Sequence, residues 1–252
     1  THGGKYSPAK LIGRDPLGPS ECMSTSMNLR TRDAVLDTHI HAMTPEEMEQ
    51  TAEDFANATL YVRRAGFDMV HLHAGHGWLL SQFLSPAINK RTDEYGGSFE
   101  NRTRLLREAV QGALASVGHD FIVSSRLNAY DGFPYPYGFG VPTDGSIDVD
   151  LTEPKKLIQL LYDYGVRILN ITMGNPYFNP HVNRPFSHGA YEPPEHPLLG
   201  VKRVLDGTAE LKKAVPGMAL ISSAVSFLGV CAPHVTAAYI ENDAFDFAGF
   251  GR

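Results

Sequence analysis

The sequence predicts an α/β protein with a parallel sheet, and a (β/α)8 TIM barrel is the arrangement that fits it best. Short apolar runs alternate with amphipathic stretches at helical spacing five times between residues 44 and 250, as is typical of parallel βα units. Long loops follow several strand ends, and no GxGxxG motif opens the first βα unit. Both observations favour a barrel over a doubly wound open sheet.

Only five strands can be recognised, so a closed eight-stranded barrel needs three more. We expect those strands to precede Thr1. Because the chain lacks an initial Met and stops just after an apolar run, we interpret it as a fragment. On this interpretation residues 1–252 form a single barrel domain. Within it, residues 1–43 are rich in Gly, Pro, Ser and Thr and are predicted to be largely loop.

The helices are predicted from capping signals and from apolar residues at helical spacing. Thr44 and Glu47 fit a capping box with Pro45 at the first helical position, and Ser98 can cap the next helix. Long loops are predicted at 77–97, 131–150 and 175–197. The predicted elements are helix 45–64, strand 67–73, helix 98–116, strand 121–127, helix 154–164, strand 166–172, helix 201–214, strand 218–222, helix 234–241 and strand 245–250.

Composition and charge restrict the class of partner. The chain is 42% hydrophobic and 20% charged, with a formal net charge of −6 and no run of five basic residues. We therefore expect neither nucleic acid nor an anionic membrane as a partner. No apolar run approaches the roughly 18 residues of a membrane helix, and no signal peptide is recognisable. With two cysteines, too few for a disulfide framework, we predict a cytoplasmic location.

Polar and small residues follow the predicted strands. His73 and His76 follow the first strand and Arg126 ends the second, so a barrel would bring them together at its carboxyl edge. An ion pair at the barrel rim is the alternative interpretation of Arg126. Small-residue turns that suit a phosphate group follow the last two strands, at Ser222-Ser223-Ala224 and Gly249-Phe250-Gly251-Arg252.

Two histidine patterns raise the question of a metal. His39 and His41 resemble the HxH signature of metal-dependent amidohydrolases, but a poor strand precedes them, which favours a solvated loop. His71 forms an HxHxxH pattern with His73 and His76, without a nearby carboxylate in the sequence. We predict no metal site, and we interpret His71 as a buried, hydrogen-bonded histidine.

A long, specific motif gives the sequence a resemblance to the Old Yellow Enzyme family, including the 2,4-dienoyl-CoA and enoate reductases. The motif covers about thirty residues without a gap, and a weaker likeness extends over the chain. The matching segments are His73-Ala74-Gly75-His76-Gly77-Trp78-Leu79-Leu80, Gln82-Phe83-Leu84-Ser85-Pro86, Asn89-Lys90-Arg91-Thr92-Asp93-Glu94-Tyr95-Gly96-Gly97-Ser98 and Glu100-Asn101-Arg102.

The resemblance implies an FMN-binding barrel that takes hydride from NAD(P)H and passes it to the C=C bond of an α,β-unsaturated carbonyl or enoyl substrate. It places His73 and His76 on the pair that hydrogen-bonds the substrate carbonyl, and Arg126 beside the pyrimidine edge of the flavin. It places the phosphate on two turns, at Ala224, Val225, Gly251 and Arg252. The partner implied is a small molecule, and a homo-oligomer is left open.

The sequence departs from the family pattern in three ways. Trp78 stands where many relatives have the tyrosine that protonates the α-carbon, and an indole N–H is too weak an acid for that role. Tyr177 is the replacement that we favour, with Tyr130 as a second candidate and loop packing as the alternative for both. Ala224 replaces a glycine, which still permits a backbone contact if φ is negative. The first three strands of the family, with their flavin contacts, would lie upstream of Thr1.

Two other functions are alternative hypotheses for this sequence. One is a metal-dependent, amidohydrolase-like hydrolase that uses His39, His41 and the later histidines. The other is a non-catalytic partial barrel from a larger multidomain reductase. A 4Fe-4S cluster and FAD are expected only if further domains follow this chain.

Overall fold

The computed structural model describes residues 2–7, 9–24, 38–134, 138–189 and 191–251, and its first part is a small sheet. A 3-10 helix, Gly4–Tyr6, and the short helix α1 (Ala9–Ile12) precede β1 (Leu17–Gly18), β2 (Cys22–Ser24) and β3 (Thr38–Ala42). Strand β3 pairs parallel with β1 and antiparallel with β2. The loop predicted around His39 and His41 is therefore wrong, because this segment pairs on both edges.

The main sheet contains five parallel strands in the order β4-β5-β6-β7-β8. Each strand lies beside its neighbour in the chain, so the sheet grows in one direction. A doubly wound sheet reverses its strand order at a switch point, whereas a barrel does not. The barrel-type α/β fold is therefore confirmed, and the three further strands stay a prediction. The strands are β4 (Met69–Ala74), β5 (Ile122–Asn128), β6 (Ile168–Thr172), β7 (Ala219–Ser222) and β8 (Phe247–Ala248).

The helices follow the predicted spacing. Thr44 caps α2 as expected, because its hydroxyl accepts from the Glu47 amide while the Glu47 carboxylate accepts from the Thr44 amide. Ser98 caps α4, and Thr103 separates α4 from α5. The helices are α2 (Pro45–Arg64), α3 (Leu79–Leu84), α4 (Phe99–Arg102), α5 (Arg104–Val117), α6 (Thr152–Tyr164), α7 (Pro180–Asn183), α8 (Pro197–Ala214) and α9 (Ala232–Glu241), and a 3-10 helix, Val225–Cys231, precedes α9.

Two helices lie inside segments that were predicted to be loops. Helix α3 is only six residues long and all six are buried, so it shows no amphipathic period. Helix α7 has four residues, which is too short for a periodic signal. Helix α8 also begins earlier than predicted, with Pro197 at its first position and the His196 side chain accepting from the Leu198 amide.

Alternation along the strands separates a helix-covered face from an open face. Leu72 on β4, Leu169 on β6 and Leu220 on β7 are buried in the core and line up in register with Ser125 on β5. The next residue of each strand points to the other face, because side chains alternate along a strand. In a barrel that face is the interior, and its upper edge carries the candidate site.

The polar residues of the family-like motif mainly hold the long β4–α5 connection together. Asn89 donates to the carbonyls of Phe83 and Tyr95, at 2.9 and 2.8 Å. Arg102 is buried and donates to the carbonyls of Leu84 and Gly97. It also pairs with Glu153, with 2.6 Å between Nη2 of Arg102 and Oε1 of Glu153. These residues therefore keep a loop over the strand ends in one conformation.

Among the described residues no helix is both long enough and apolar enough to span a membrane. Cys22 and Cys231, the two cysteines of the chain, are free and exposed.

Candidate active site at the carboxyl edge of the sheet

One row of side chains crosses the open face of the sheet from β4 to β8. Its members are register partners on successive strands: His73, Arg126, Asn170, Ile221 and Phe247. The row is polar on the first three strands and apolar on the last two. It therefore places the two strand-end residues predicted from the sequence, His73 and Arg126, next to each other.

The second imidazole of the site comes from the turn after β4. His76 and Gly77 both have positive φ, 58° and 74°, and His76 is one of three non-glycine residues in this region among those described. A left-handed residue other than glycine is strained by roughly 1–2 kcal/mol. The turn brings the ring of His76 to 5.1 Å from the ring of His73, centroid to centroid. The two predicted imidazoles are thus adjacent in the structure.

Both imidazoles are held neutral at physiological pH. Burial lowers the pKa of His73 to about 4, and the positive charge of Arg126 acts in the same direction. Burial and Arg126 likewise lower the pKa of His76 to about 3. A neutral imidazole carries one N–H and one bare nitrogen. Each ring can therefore donate a single hydrogen bond to a ligand without bringing a full charge.

Thr172 orients His76. The Nε2 atom of His76 lies 3.2 Å from the Thr172 hydroxyl, which also accepts from the Asn183 side chain at 3.1 Å. Because the same threonine oxygen is also held by Asn183, the ring of His76 is fixed relative to β6 and α7.

Buried polar atoms without partners mark a place for a polar ligand. Among the described residues, Arg126 Nε, Asn128 Oδ1 and Asn170 Oδ1 are buried and make no hydrogen bond, and all three belong to the open face of β5 and β6. Such an atom costs about 1–3 kcal/mol if nothing satisfies it. Arg126 forms no ion pair with any described residue, so the interpretation as a rim ion pair is not supported.

The guanidinium of Arg126 lies in a positive region. Burial lowers its pKa, and the nearby Arg184 acts in the same direction. An anionic or electron-rich group is therefore the ligand that this edge of the sheet favours. Flavin meets this requirement, because its pyrimidine ring carries carbonyl oxygens and becomes anionic on reduction.

The turns after β7 and β8 lie together. Gly249 donates its amide to the Ser222 carbonyl at 2.7 Å, and the Gly251 amide points to the Ser226 hydroxyl at 3.4 Å. Val225, directly after Ala224, is buried at the start of a 3-10 helix. Arg252 lies outside the described residues. The predicted turns are therefore neighbours, and Ser226 is a contact that the sequence did not suggest.

Ala224 does not meet the condition of a negative φ that the sequence set for its backbone contact. Its φ is 67°, in the left-handed region. Alanine pays a steric cost there that glycine does not. The turn thus keeps the backbone shape of a glycine turn although a methyl group is present.

The aromatic residues considered as proton donors separate into three cases. Tyr130 is buried and donates its hydroxyl to the Ile147 carbonyl at 2.5 Å, so it has no free proton for a substrate. Tyr177 is 39% exposed and stacks on Tyr6, with ring centroids 4.2 Å apart. Trp78 meets His73 edge-on at 5.5 Å.

Tyr6 is a site residue that the sequence did not reveal. Its hydroxyl accepts from the Asn175 side chain at 3.4 Å, and a Cβ on Gly77 would lie 3.0 Å from its ring. The turn that carries Tyr6 is tied to α3 by Gln82, which accepts from the Lys5 amide and donates to the Gly77 carbonyl. These contacts join residues far apart in the chain, so no local pattern could have shown them.

The other histidines lie apart from this site. His39 is exposed on β3, where Asp15 and Glu21 accept from its ring at 2.8 and 3.1 Å and raise its pKa. His71 is exposed on the open face of β4, so its interpretation as a buried histidine is wrong. Within the described parts of the chain, no group of three or more His, Cys, Asp or Glu side chains could hold a metal ion.

The one-directional βα sheet and its polar edge define the class of protein, an α/β-barrel-type protein with a candidate site at the carboxyl ends of its strands. Residues 1–139 match the family model described as NADH:flavin oxidoreductase / NADH oxidase, and the chain belongs to this family. This confirms the predicted Old Yellow Enzyme relationship. It also confirms FMN, with NAD(P)H as reductant, as the cofactors of the enzyme class.

Individual relatives agree with the family. The chain is 41% identical over 133 residues to an NADH:flavin oxidoreductase of Gibberella zeae, covering 53% of this chain and 32% of that protein. It is 30% identical over 174 residues to an NADH oxidase of Thermoanaerobacter brockii, covering 69% and 24%. The chain thus spans about a quarter to a third of the length of these relatives.

Solved structures agree on the fold. The Old Yellow Enzyme homologue from Zymomonas mobilis superposes with a TM-score of 0.70 at 22% identity, covering all of this chain and 61% of that one. Morphinone reductase superposes with a TM-score of 0.62 at 25% identity, covering all of this chain and 60% of that one. Both likenesses cover the whole chain, including the segments before β4.

Proposed function

We propose that the protein is an FMN-dependent oxidoreductase that passes hydride from NAD(P)H to the C=C bond of an α,β-unsaturated carbonyl or enoyl compound. The observation that carries this proposal is the pair of neutral imidazoles, His73 and His76, beside the unpaired guanidinium of Arg126. When bound, FMN accepts the hydride from the nicotinamide and delivers it to the β-carbon of the substrate. The residues of this chain bind, orient and stabilise what reacts.

Arg126 and two turns would hold the cofactor. The free Nε of Arg126 would donate to the pyrimidine edge of the flavin, and its charge would stabilise the anionic reduced form. The turns at Ala224, Val225 and Gly251 would surround the phosphate with backbone amides, and Arg252 would add a positive charge. Iron–sulfur and FAD groups stay expectations that depend on further domains.

His73 and His76 would hold the substrate. When hydride reaches the β-carbon, negative charge moves onto the carbonyl oxygen. Two N–H donors aimed at that oxygen stabilise the enolate more than the neutral carbonyl, which lowers the barrier of this step. Because the burial that lowers both pKa values keeps the rings neutral, they donate hydrogen bonds over the whole physiological pH range.

The α-carbon of the enolate then needs a proton. Trp78 cannot supply it, and the hydroxyl of Tyr130 is already bonded to a carbonyl. Tyr177, the candidate from the sequence, stacks on Tyr6 next to the turn that carries His76. We therefore assign the proton donor to one of two phenols, Tyr177 or Tyr6.

The test uses full-length protein with FMN and follows the two half-reactions separately. In the double variant His73→Ala with His76→Ala, 2-cyclohexen-1-one should reoxidise the reduced flavin more slowly, because the activation free energy of this step rises by several kcal/mol. Flavin reduction by NADH or NADPH should keep the parental rate. His71→Ala, an exposed histidine on the same face of β4, is the matched control and should behave like the parent.

Two results would contradict the proposal. A protein that shows no flavin absorbance after reconstitution with FMN would not belong to this functional class. A double histidine variant that is reoxidised by the enone at the parental rate would remove the proposed role of the imidazole pair.

A further inference from the structure

The residue after the imidazole turn lies against a tyrosine from a distant part of the chain. Gly77 separates His76 from Trp78, and a Cβ at Gly77 would lie 3.0 Å from Cε2 of Tyr6. The Leu79 amide donates to the His2 carbonyl at 3.0 Å, which fixes the Tyr6 turn at the start of α3. Tyr6 therefore lies against the turn residue that joins His76 to Trp78, the indole that cannot act as an acid.

Asn175 prepares the Tyr6 hydroxyl for giving up a proton. The Nδ2 group of Asn175 donates to the phenol oxygen, so the hydrogen of the phenol is not used in this contact. A hydrogen bond donated to the oxygen also stabilises the phenolate that remains after proton transfer. Asn175 is itself fixed. Its backbone amide donates to Asn179 Oδ1 at 2.7 Å, and its side-chain Oδ1 accepts from the backbone amide of Tyr177 at 2.9 Å.

Tyr177 lacks these features. Its ring forms the outer layer of the stack and is more than one third exposed. Its hydroxyl has no hydrogen-bond partner among the described residues. The phenol that packs against Gly77 is therefore also the one with a donor aimed at its oxygen.

We propose that Tyr6 is the general acid that protonates the α-carbon, with Tyr177 covering it; this inference rests on the proposed alkene reduction. The electron pair of the enolate C=C bond forms the new C–H bond with the phenolic hydrogen. The O–H electron pair stays on the Tyr6 oxygen, and water returns a proton to it. Burial raises the pKa of Tyr6 to about 12, so the phenol stays protonated between turnovers.

The experiment compares two oxidants of the reduced, FMN-loaded full-length protein. 2-Cyclohexen-1-one needs a proton at carbon, whereas ferricyanide takes electrons without one. Tyr6→Phe keeps the ring that packs on Gly77 and Tyr177 and removes only the hydroxyl. We expect its reoxidation by the enone to be slower by roughly 100-fold or more, with ferricyanide reoxidation and flavin reduction within about twofold of the parent.

Two further variants make the result specific. Tyr177→Phe should lose clearly less enone activity than Tyr6→Phe. Tyr95→Phe, whose hydroxyl is bonded to Glu108 away from the site, should behave like the parent in every step. Melting temperatures within a few degrees of each other would show that folding is equal across the set.

The outcomes separate this inference from the function on which it rests. If Tyr6→Phe reduces the enone at the parental rate, or if Tyr177→Phe alone carries the loss, then Tyr6 is not the acid although the function stands. If the parent is reoxidised by ferricyanide but never by the enone, the proposed alkene reduction is wrong, and the role of Tyr6 is wrong with it.

Discussion

The imidazole of His76 and the hydroxyl of Thr172 lie 3.2 Å apart, Nε2 to Oγ1, and this contact joins the turn after β4 to the end of β6. Asn183 donates to the same hydroxyl and to the Met173 carbonyl, so the contact continues into α7. A residue in a strained backbone conformation thus has its ring fixed by a buried threonine. The orientation of the proposed oxyanion donor depends on β6 as much as on β4.

Thr172→Val should therefore impair the enone half-reaction. The change keeps the side-chain shape but removes the hydroxyl that fixes the orientation of the His76 ring. We expect a rate loss of about tenfold, equivalent to ~1.4 kcal/mol, measured by stopped-flow reoxidation with 2-cyclohexen-1-one. Thr59→Val is the matched control, because its buried hydroxyl bonds only to its own helix α2. A loss of equal size in both variants would count against the specific role.

Arg126→Met should weaken FMN binding. The variant removes the unpaired donor and the positive charge from the open face of β5 while keeping a side chain of similar length. A hydrogen bond from a charged group is worth about 1.5–3 kcal/mol, so we expect the Kd for FMN to rise roughly 10- to 100-fold. The midpoint potential of any flavin still bound should become more negative, because the anionic reduced form loses its counter-charge.

The control for Arg126 is at the other end of the sheet. Arg167→Met makes the same change of charge just before β6, where the guanidinium bonds to the carbonyls of Tyr162 and Val166. Fluorescence titration with FMN should give the parental Kd for this variant. An equal loss of affinity in both would mean that overall charge, and not the position of Arg126, governs binding.

Local patterns in the sequence predicted the helices and strands but not the long-range contacts between them. The Thr44 capping box and the alternation along β4 are local, and both are present in the structure as expected. Helix α3 was missed because burial of every side chain removes the periodic signal. The Tyr6–Asn175 contact spans 169 positions in the sequence, and the His73–Arg126–Asn170 row depends on strand register. Neither can be read from neighbouring residues.

The histidine pair should make the flavin-free protein sensitive to acid. The ordinary histidine pKa is about 6.5, whereas burial lowers the values for His73 and His76 to about 4 and about 3. Between these limits the unfolded chain binds protons that the folded protein does not. Stability therefore falls as the pH falls from about 6.5 towards 4.

Urea denaturation at a series of pH values measures this slope. In the double variant His73→Asn with His76→Asn, stability should depend less steeply on pH over the same window, because both groups are removed. His119→Asn, which replaces an exposed histidine, should keep the parental slope. Parallel curves for the parent and the double variant would show that neither imidazole is held neutral by the fold.

Arg102 should matter for stability and not for chemistry. It is buried, bonds to two backbone carbonyls and pairs with Glu153, so Arg102→Ala leaves three acceptors without their donor. Leaving a buried carbonyl without its donor costs about 1–3 kcal/mol, so we expect a loss of at least this size, which urea denaturation should detect. Arg104→Ala, two residues further on, removes a solvent-exposed hydrogen bond from a half-buried side chain to the Glu94 carbonyl, and should cost less than about 1 kcal/mol. If the two variants were equally stable, the β4–α5 connection would not depend on Arg102.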